Sequence, residues 1–184
     1  MDRPIINIDL DGCVSHFGDD IRYWIAQMEG VEPEDVVVPP WGQQDGKFDR
    51  WWRLGVEKGF VWGLYSSPPI EGAREALWKL SDAEFHLRIV TLRLVQSWNH
   101  ALIVENTVKW LDTHNIPYRS LSFIGPGEKK SDFKAIAAID DRPLHVREYQ
   151  EADINGFLLA QPWNKNDRDG LPVTDWEGFV EAFC

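Results

Sequence analysis

The stretch Pro4-Ile5-Ile6-Asn7-Ile8-Asp9-Leu10-Asp11-Gly12 constrains this chain more than any other. Three isoleucines on a short, nearly uncharged run predict a strand over 5–8 buried on both faces, the pattern of a parallel sheet. The run leads into two acids and a glycine, so Asp9 stands at the strand's C-terminal end. In open α/β sheets ligands bind in the crevice beyond that end, and a carboxylate there is placed for chemistry. Gly12 lets the chain bend, and Asp11 can turn back toward the same point. Acids and glycine also make ordinary turns after strands, so the motif by itself is weak.

A second acidic strand end strengthens it. Ala135-Ile136-Ala137-Ala138-Ile139 runs into Asp140-Asp141-Arg142-Pro143. If both strands belong to one parallel sheet, four carboxylates converge on one crevice, and like charges that close do not all stay ionised without a cation. Hard oxygen donors of this kind suit Mg²⁺.

Between and beyond these ends, strands and helices alternate. Apolar spacing behind an Asp cap predicts a helix over 19–28. Residues 31–40, with their prolines, predict an extended linker, and a helix is expected over 47–58 within an aromatic segment. Helices are expected over 71–80, 99–114, 144–151 and 176–183, and strands over 87–90, 121–124, 135–139 and 156–160. The alternation predicts an α/β fold, a Rossmann-like parallel sheet with helices on both faces. Thr91 follows the strand over 87–90, where its hydroxyl can donate to a phosphate oxygen or where it is simply a β-former.

The residues resemble the haloacid dehalogenase superfamily of aspartate-nucleophile phosphatases, and within it the small 5′(3′)-deoxyribonucleotidases with their phage and bacterial relatives. Asp9 and Asp11 look like the first motif, Thr91 the second, Lys130 the third and Asp140-Asp141 the fourth, so the likeness spans most of the chain. Pro69-Ile70-Glu71-Gly72-Ala73, opening a helix, and the ten residues from Lys130 to Asp140 also resemble that group. Lys129 and Lys134 are alternatives to Lys130, and a lysine in such a loop is commonly just solvated.

The resemblance implies a Mg²⁺-dependent phosphomonoesterase acting through an aspartyl-phosphate, with a nucleoside monophosphate as the expected substrate. Asp9 is then the nucleophile and Asp11 the general acid and base, while Thr91 and Lys130 hold the phosphate. Asp9, Asp11 through its main-chain carbonyl, Asp140 and Asp141 hold the metal. It also implies a small, mostly helical cap over 18–63, inserted after the first strand into a core formed by 1–17 and 64–184. Phe17 looks like the group's base-pocket phenylalanine, and Phe60 and Trp62 are further substrate-facing candidates. The cap's aromatics could equally be its own core, since small subdomains bury little surface. His16 stands where the group has an acid, and Leu92-Arg93 departs from the Ser-Pro that follows the threonine there. Arg93 either reaches phosphate or faces solvent. Another small phosphate ester, a phosphorylated nucleic-acid end, or a binding module without turnover are the other readings.

Composition narrows these choices. A formal charge of −11 over 184 residues argues against gripping a long nucleic acid, which needs clustered Lys and Arg. Ten tryptophans are many for this length and call for burial or a ligand. Two cysteines imply no disulfide framework, and no apolar run reaches the length of a membrane span. A cytoplasmic protein is expected, and a homodimer is compatible with the sequence.

Overall fold

A computed structural model describes residues 3–38, 46–57, 67–94, 100–125 and 127–184. The chain runs through β1 (Ile5–Ile8), α1 (Phe17–Glu29), α2 (Gly46–Glu57), α3 (Ala73–Asp82), β2 (His86–Thr91), α4 (His100–Thr113) and β3 (Ser120–Phe123). It continues through β4 (Ala137–Asp140), α5 (Pro143–Glu151), β5 (Asn155–Leu159), β6 (Val173–Thr174) and α6 (Trp176–Glu181). Short 3₁₀ turns lie at Pro33–Asp35, Lys130–Asp132 and Pro162–Asn164.

The six strands form one sheet in the order β3-β2-β1-β4-β5-β6, with every pairing parallel. β1 is central, as its isoleucines require: Ile6, Asn7 and Ile8 have no exposed surface. The buried Asn7 turns its amide to the Phe133 carbonyl at 2.6 Å, so its Nδ2 donor is satisfied inside the sheet layer. Successive residues of a strand face opposite sides of the sheet. Ile139 packs with α3 and α6, whereas Ala138 packs with Tyr149 of α5, so helices cover both faces.

The chain visits β2 and β3 on one side of β1 before crossing to β4 on the other. The order therefore reverses between β1 and β4, and the crevice for ligands opens beyond their C-terminal ends.

Several local expectations change. α1 begins at Phe17 rather than behind Asp19, and its N-cap residue His16 makes no side-chain capping bond. Asp20 instead accepts from the backbone N–H and hydroxyl of Ser67, at 3.0 and 2.7 Å. The Ser67 carbonyl in turn takes the Trp110 indole N–H at 3.0 Å, so the start of α1, the segment before α3 and α4 are tied at one buried point. α3 starts at Ala73, since Gly72 at φ +80° cannot continue a right-handed helix. β4 starts at Ala137, two residues later than expected, and the two-residue β6 carries too few apolar residues for its sequence to reveal it.

The segment over 18–63 falls partly outside the described residues, which include α1, the turn at Pro33–Asp35 and α2. Phe17, Ile21, Trp24, Val36, Phe48 and Trp51 make an apolar cluster that also takes in Ile103 of α4. An apolar cluster this small gains burial by packing against a neighbouring helix. The tryptophans serve as ties: the indoles of Trp78 and Trp176 donate to the carbonyls of Asn115 and Cys13. No helix among the described residues is long and apolar enough to cross a membrane.

Candidate active site

The β1–β4 register brings the two acidic strand ends together. The backbone N–H of Asp9 donates to the Ile139 carbonyl at 3.0 Å, extending the ladder one residue beyond the strand. Asp9, Asp140 and Asp141 are all buried. Lys130 enters on the 3₁₀ turn before β4, and its ammonium lies 2.6 Å from Asp9 Oδ1 and 2.7 Å from Asp140 Oδ2. Burial and the neighbouring Asp140 push the Asp9 carboxyl up to about 6, against the opposing pull of Lys130. Burial disfavours the charged lysine, but Asp140 and Asp9 outweigh it and hold the ammonium well above its ordinary range. Lys129 pairs with Glu148 at 3.1 Å, and Lys134 is exposed, so of the three lysines only Lys130 reaches the carboxylates.

The adjacent acids Asp140 and Asp141 differ in kind. Asp140 is saturated: it takes Lys130, the Arg142 backbone N–H at 2.9 Å, and His145 Nδ1 at 3.1 Å from both oxygens. Burial alone would raise its carboxyl, but Lys130 and His145 hold it well below the usual carboxylate range. Asp141 has the Trp163 indole N–H on Oδ2 at 2.6 Å, while its buried Oδ1 has no hydrogen-bond partner among the described residues. Burial, with Asp9 and Asp140 nearby, pushes Asp141 well above the usual range. Gly12 explains how the acid fits. A Cβ on Gly12, whose φ is +88°, would stand 2.5 Å from an Asp141 oxygen.

Donor atoms of Asp9, Cys13 and Asp141 lie within 4.8 Å of one another. Burial and the surrounding acids push the Cys13 thiol well above its ordinary range, and a soft sulfur donor suits zinc or copper better than a hard divalent cation. That leaves hard carboxylate oxygens, one of them lacking a partner among the described residues, a donor set that suits a small divalent cation. Charge points the same way. Among the described residues the carboxylates Asp9, Asp11, Asp140 and Asp141 outnumber the buried cations paired with them, Lys130 and Arg93, with His145 a further partner of Asp140.

Asp11 is held by Arg93, which is fully buried rather than facing solvent. Its Nε donates to Asp11 Oδ2 at 2.8 Å and its Nη2 to Oδ1 at 2.5 Å, while Nη1 donates to Thr107 Oγ1 on α4 at 2.9 Å. The Ser15 hydroxyl adds a bond to Asp11 Oδ1 at 3.0 Å. Thr91, at the end of β2, is buried with its hydroxyl unpartnered among the described residues. A buried hydroxyl left without a partner is uncommon in a finished core.

A cavity of about 340 Å³ opens beside these groups, with Asp11, Phe17, Arg22, Val38, Asp141 and Trp163 on its walls. Phe17 is at once a wall and a member of the apolar cluster, edge-on to Trp52 with ring centroids 6.2 Å apart. Phe60 and Trp62 lie outside the described residues. The sequence reading overlooked Trp163, His145, Ser15 and Thr107. For Trp163 the signal was the Gln-Pro-Trp-Asn run after β5, which looks like a strand terminator until β4 is placed beside it. Thr107 carried no signal, since it sits mid-helix and meets Arg93 only through packing.

Comparison with known proteins agrees with this architecture. A haloacid dehalogenase-like hydrolase from Streptococcus pneumoniae superposes with a TM-score of 0.63 at 12% identity, covering 99% of each chain. A D,D-heptose 1,7-bisphosphate phosphatase from B. bronchiseptica, solved with magnesium and phosphate, gives 0.54 at 13% identity over 97% of each chain. Both show the fold. A Chlorobaculum tepidum protein named "Putative 5'(3')-deoxyribonucleotidase" is 34% identical over 97% of this chain and 91% of its own. The family model described as 5′ nucleotidase, deoxy (pyrimidine), cytosolic type C protein matches residues 3–182, and with the haloacid dehalogenase-like sheet and its paired acidic strand ends the chain belongs to that family of hydrolases.

Proposed function

We propose that this protein is a Mg²⁺-dependent phosphomonoesterase that hydrolyses (deoxy)nucleoside monophosphates through an aspartyl-phosphate on Asp9, in the cytosol. The observation that carries the reading is the buried Asp9–Lys130–Asp140 arrangement beside Asp141 and its unpartnered oxygen, at the mouth of a cavity large enough for a small ligand. The family description and the magnesium-bound relative support the metal and the substrate class.

Asp9 Oδ1 is already engaged by Lys130 and by the Leu10 N–H at 2.8 Å, which leaves Oδ2 for attack on phosphorus. The P–O bond to the alkoxide breaks as the Asp9–P bond forms, and Asp11 gives the departing oxygen its proton. Asp11 then takes a proton from the water that attacks phosphorus, releasing inorganic phosphate and restoring Asp9. Lys130 and the Thr91 hydroxyl would hold the equatorial oxygens, where phosphoryl transfer concentrates charge. Mg²⁺ would be held by Asp9 and Asp141, with Asp140 orienting Lys130 rather than ligating, and would screen the repulsion between anionic nucleophile and anionic ester. Phe17 is the cavity wall offered to the base.

A panel of nucleoside and sugar monophosphates, assayed with Mg²⁺ and again with EDTA, tests this. Turnover should favour nucleoside monophosphates and disappear with EDTA. Metal-independent turnover, or an equal rate on sugar phosphates, would overturn the metal or the substrate assignment respectively.

A further inference from the structure

Trp163 is odd among the described tryptophans. It is 42% exposed, yet its indole N–H is fixed at 2.6 Å on a carboxylate that is buried. Large exposed apolar side chains mean little singly, but this one lines the same cavity as Asp141 and Phe17. Its position is enforced from behind. Asn164 Nδ2 donates to the carbonyls of Asp141 and Leu159 at 2.9 and 2.8 Å, and Gln161 Nε2 donates to the Gly12 carbonyl at 2.8 Å. Arg168 completes the brace, holding Asn164 Oδ1 at 3.0 Å and the Gln161 carbonyl at 2.8 Å. The turn at Pro162–Asn164 is thus bolted to both acidic strand ends, through Gly12 after β1 and Asp141 after β4.

We propose that Trp163 is a positioning and specificity residue with two separable duties, one for each part of its indole. The N–H occupies Asp141 Oδ2, which fixes the rotation of the carboxylate and leaves Oδ1, unpartnered among the described residues, for the cation. The exposed ring face forms the second wall of the substrate cavity and packs against the base of a nucleoside monophosphate. One side chain then links metal affinity to substrate shape. This inference rests on the reading of Asp141 as a metal ligand and of the substrate as a nucleotide.

The two duties are separated by two substitutions. Trp163→Phe keeps an aromatic face and loses the N–H, while Trp163→Leu loses both. Mg²⁺ binding is measured directly by calorimetric titration of the metal-free protein, and substrate preference as the ratio of kcat/KM for a nucleoside monophosphate to that for a small phosphate ester without a base, at saturating Mg²⁺. Loss of an outer hydrogen bond to a metal ligand weakens metal binding by about ten- to a hundredfold, and that loss is expected for both variants. The preference should persist in Trp163→Phe and fall about tenfold in Trp163→Leu, the scale of one lost aromatic stack. Wild-type Mg²⁺ affinity in Trp163→Phe would overturn the positioning role. Equal preference in the two variants would overturn the ring's role. Failure of the underlying reading would be visible separately, in a wild-type protein that binds no Mg²⁺ or has no nucleotide preference to lose. The half-exposed site and the bracing by Asn164 and Arg168 keep the turn in place in both variants, and a melting temperature close to wild type verifies this.

Discussion

Arg93 grips Asp11 with two nitrogens, Nε on Oδ2 and Nη2 on Oδ1, while its third nitrogen is anchored to Thr107 in the middle of α4. A fork of this kind fixes a carboxylate's plane as well as its position. Arg93→Lys keeps the charge but loses the second tooth and the Thr107 anchor. Because Asp11 is the proposed proton carrier, kcat should fall by about a hundredfold, within the usual contribution of general acid–base catalysis. KM and the Mg²⁺ requirement should change little. A large rise in KM with kcat preserved would instead mark Arg93 as a phosphate ligand.

Asp9→Asn keeps the shape of the side chain and removes the proposed nucleophile. Turnover should drop at least a thousandfold, while the far-UV circular dichroism stays unchanged. Asp11→Asn should be slowed as well, yet still place phosphate on Asp9 when hydrolysis of the adduct becomes limiting. Acid-quench mass spectrometry reads this directly as a phosphate-sized mass gain in the Asp11 variant that the Asp9 variant lacks.

Phe17 belongs both to the apolar cluster and to the cavity, so its truncation to Ala would mix packing loss with stacking loss. Phe17→Leu preserves most of the volume and removes the aromatic face. Stacking on an aromatic side chain is worth about 1–3 kcal/mol per base, so kcat/KM for a nucleoside monophosphate should fall about tenfold while a small phosphate ester is spared. Equal losses for both substrates would make Phe17 a packing residue only.

At the opposite end of the sheet, His86 at the start of β2 faces the Ser120 hydroxyl at 2.7 Å. Burial, then Arg88, Arg119 and Arg3, lower its pKa below the ordinary value. The folded protein therefore binds this proton less readily than the unfolded chain. Its stabilising contribution is present above the ordinary histidine pKa of 6.5 and is lost as pH falls through it toward the lower folded value. His86→Gln should narrow the gap between melting temperatures measured at pH 7.5 and 5.5, values about one unit either side of that pKa. An unchanged gap would show that His86 plays no part in acid sensitivity.

The sequence by itself determined five of the six strands, their parallel arrangement and the acids at their ends, because β-branched runs bounded by Asp and Gly have few other ways to be satisfied. Resemblance to the family's motifs, including the ten residues from Lys130 to Asp140, pointed to Lys130 and Thr91, which position alone left as a solvated lysine and a β-former. What the sequence could not decide was partner choice. Asp140 and Asp141 look alike in sequence, and only packing gives the first Lys130 and His145 and the second Trp163. Arg93 reads as solvated or phosphate-seeking until α4 closes over it and supplies Thr107. Trp163 reads as the end of a strand until β5 is laid beside β4. Local sequence fixes which groups a chain carries to the crevice, but the loss of water on burial forces each polar group to find a partner, and those partners come from segments far away in the chain.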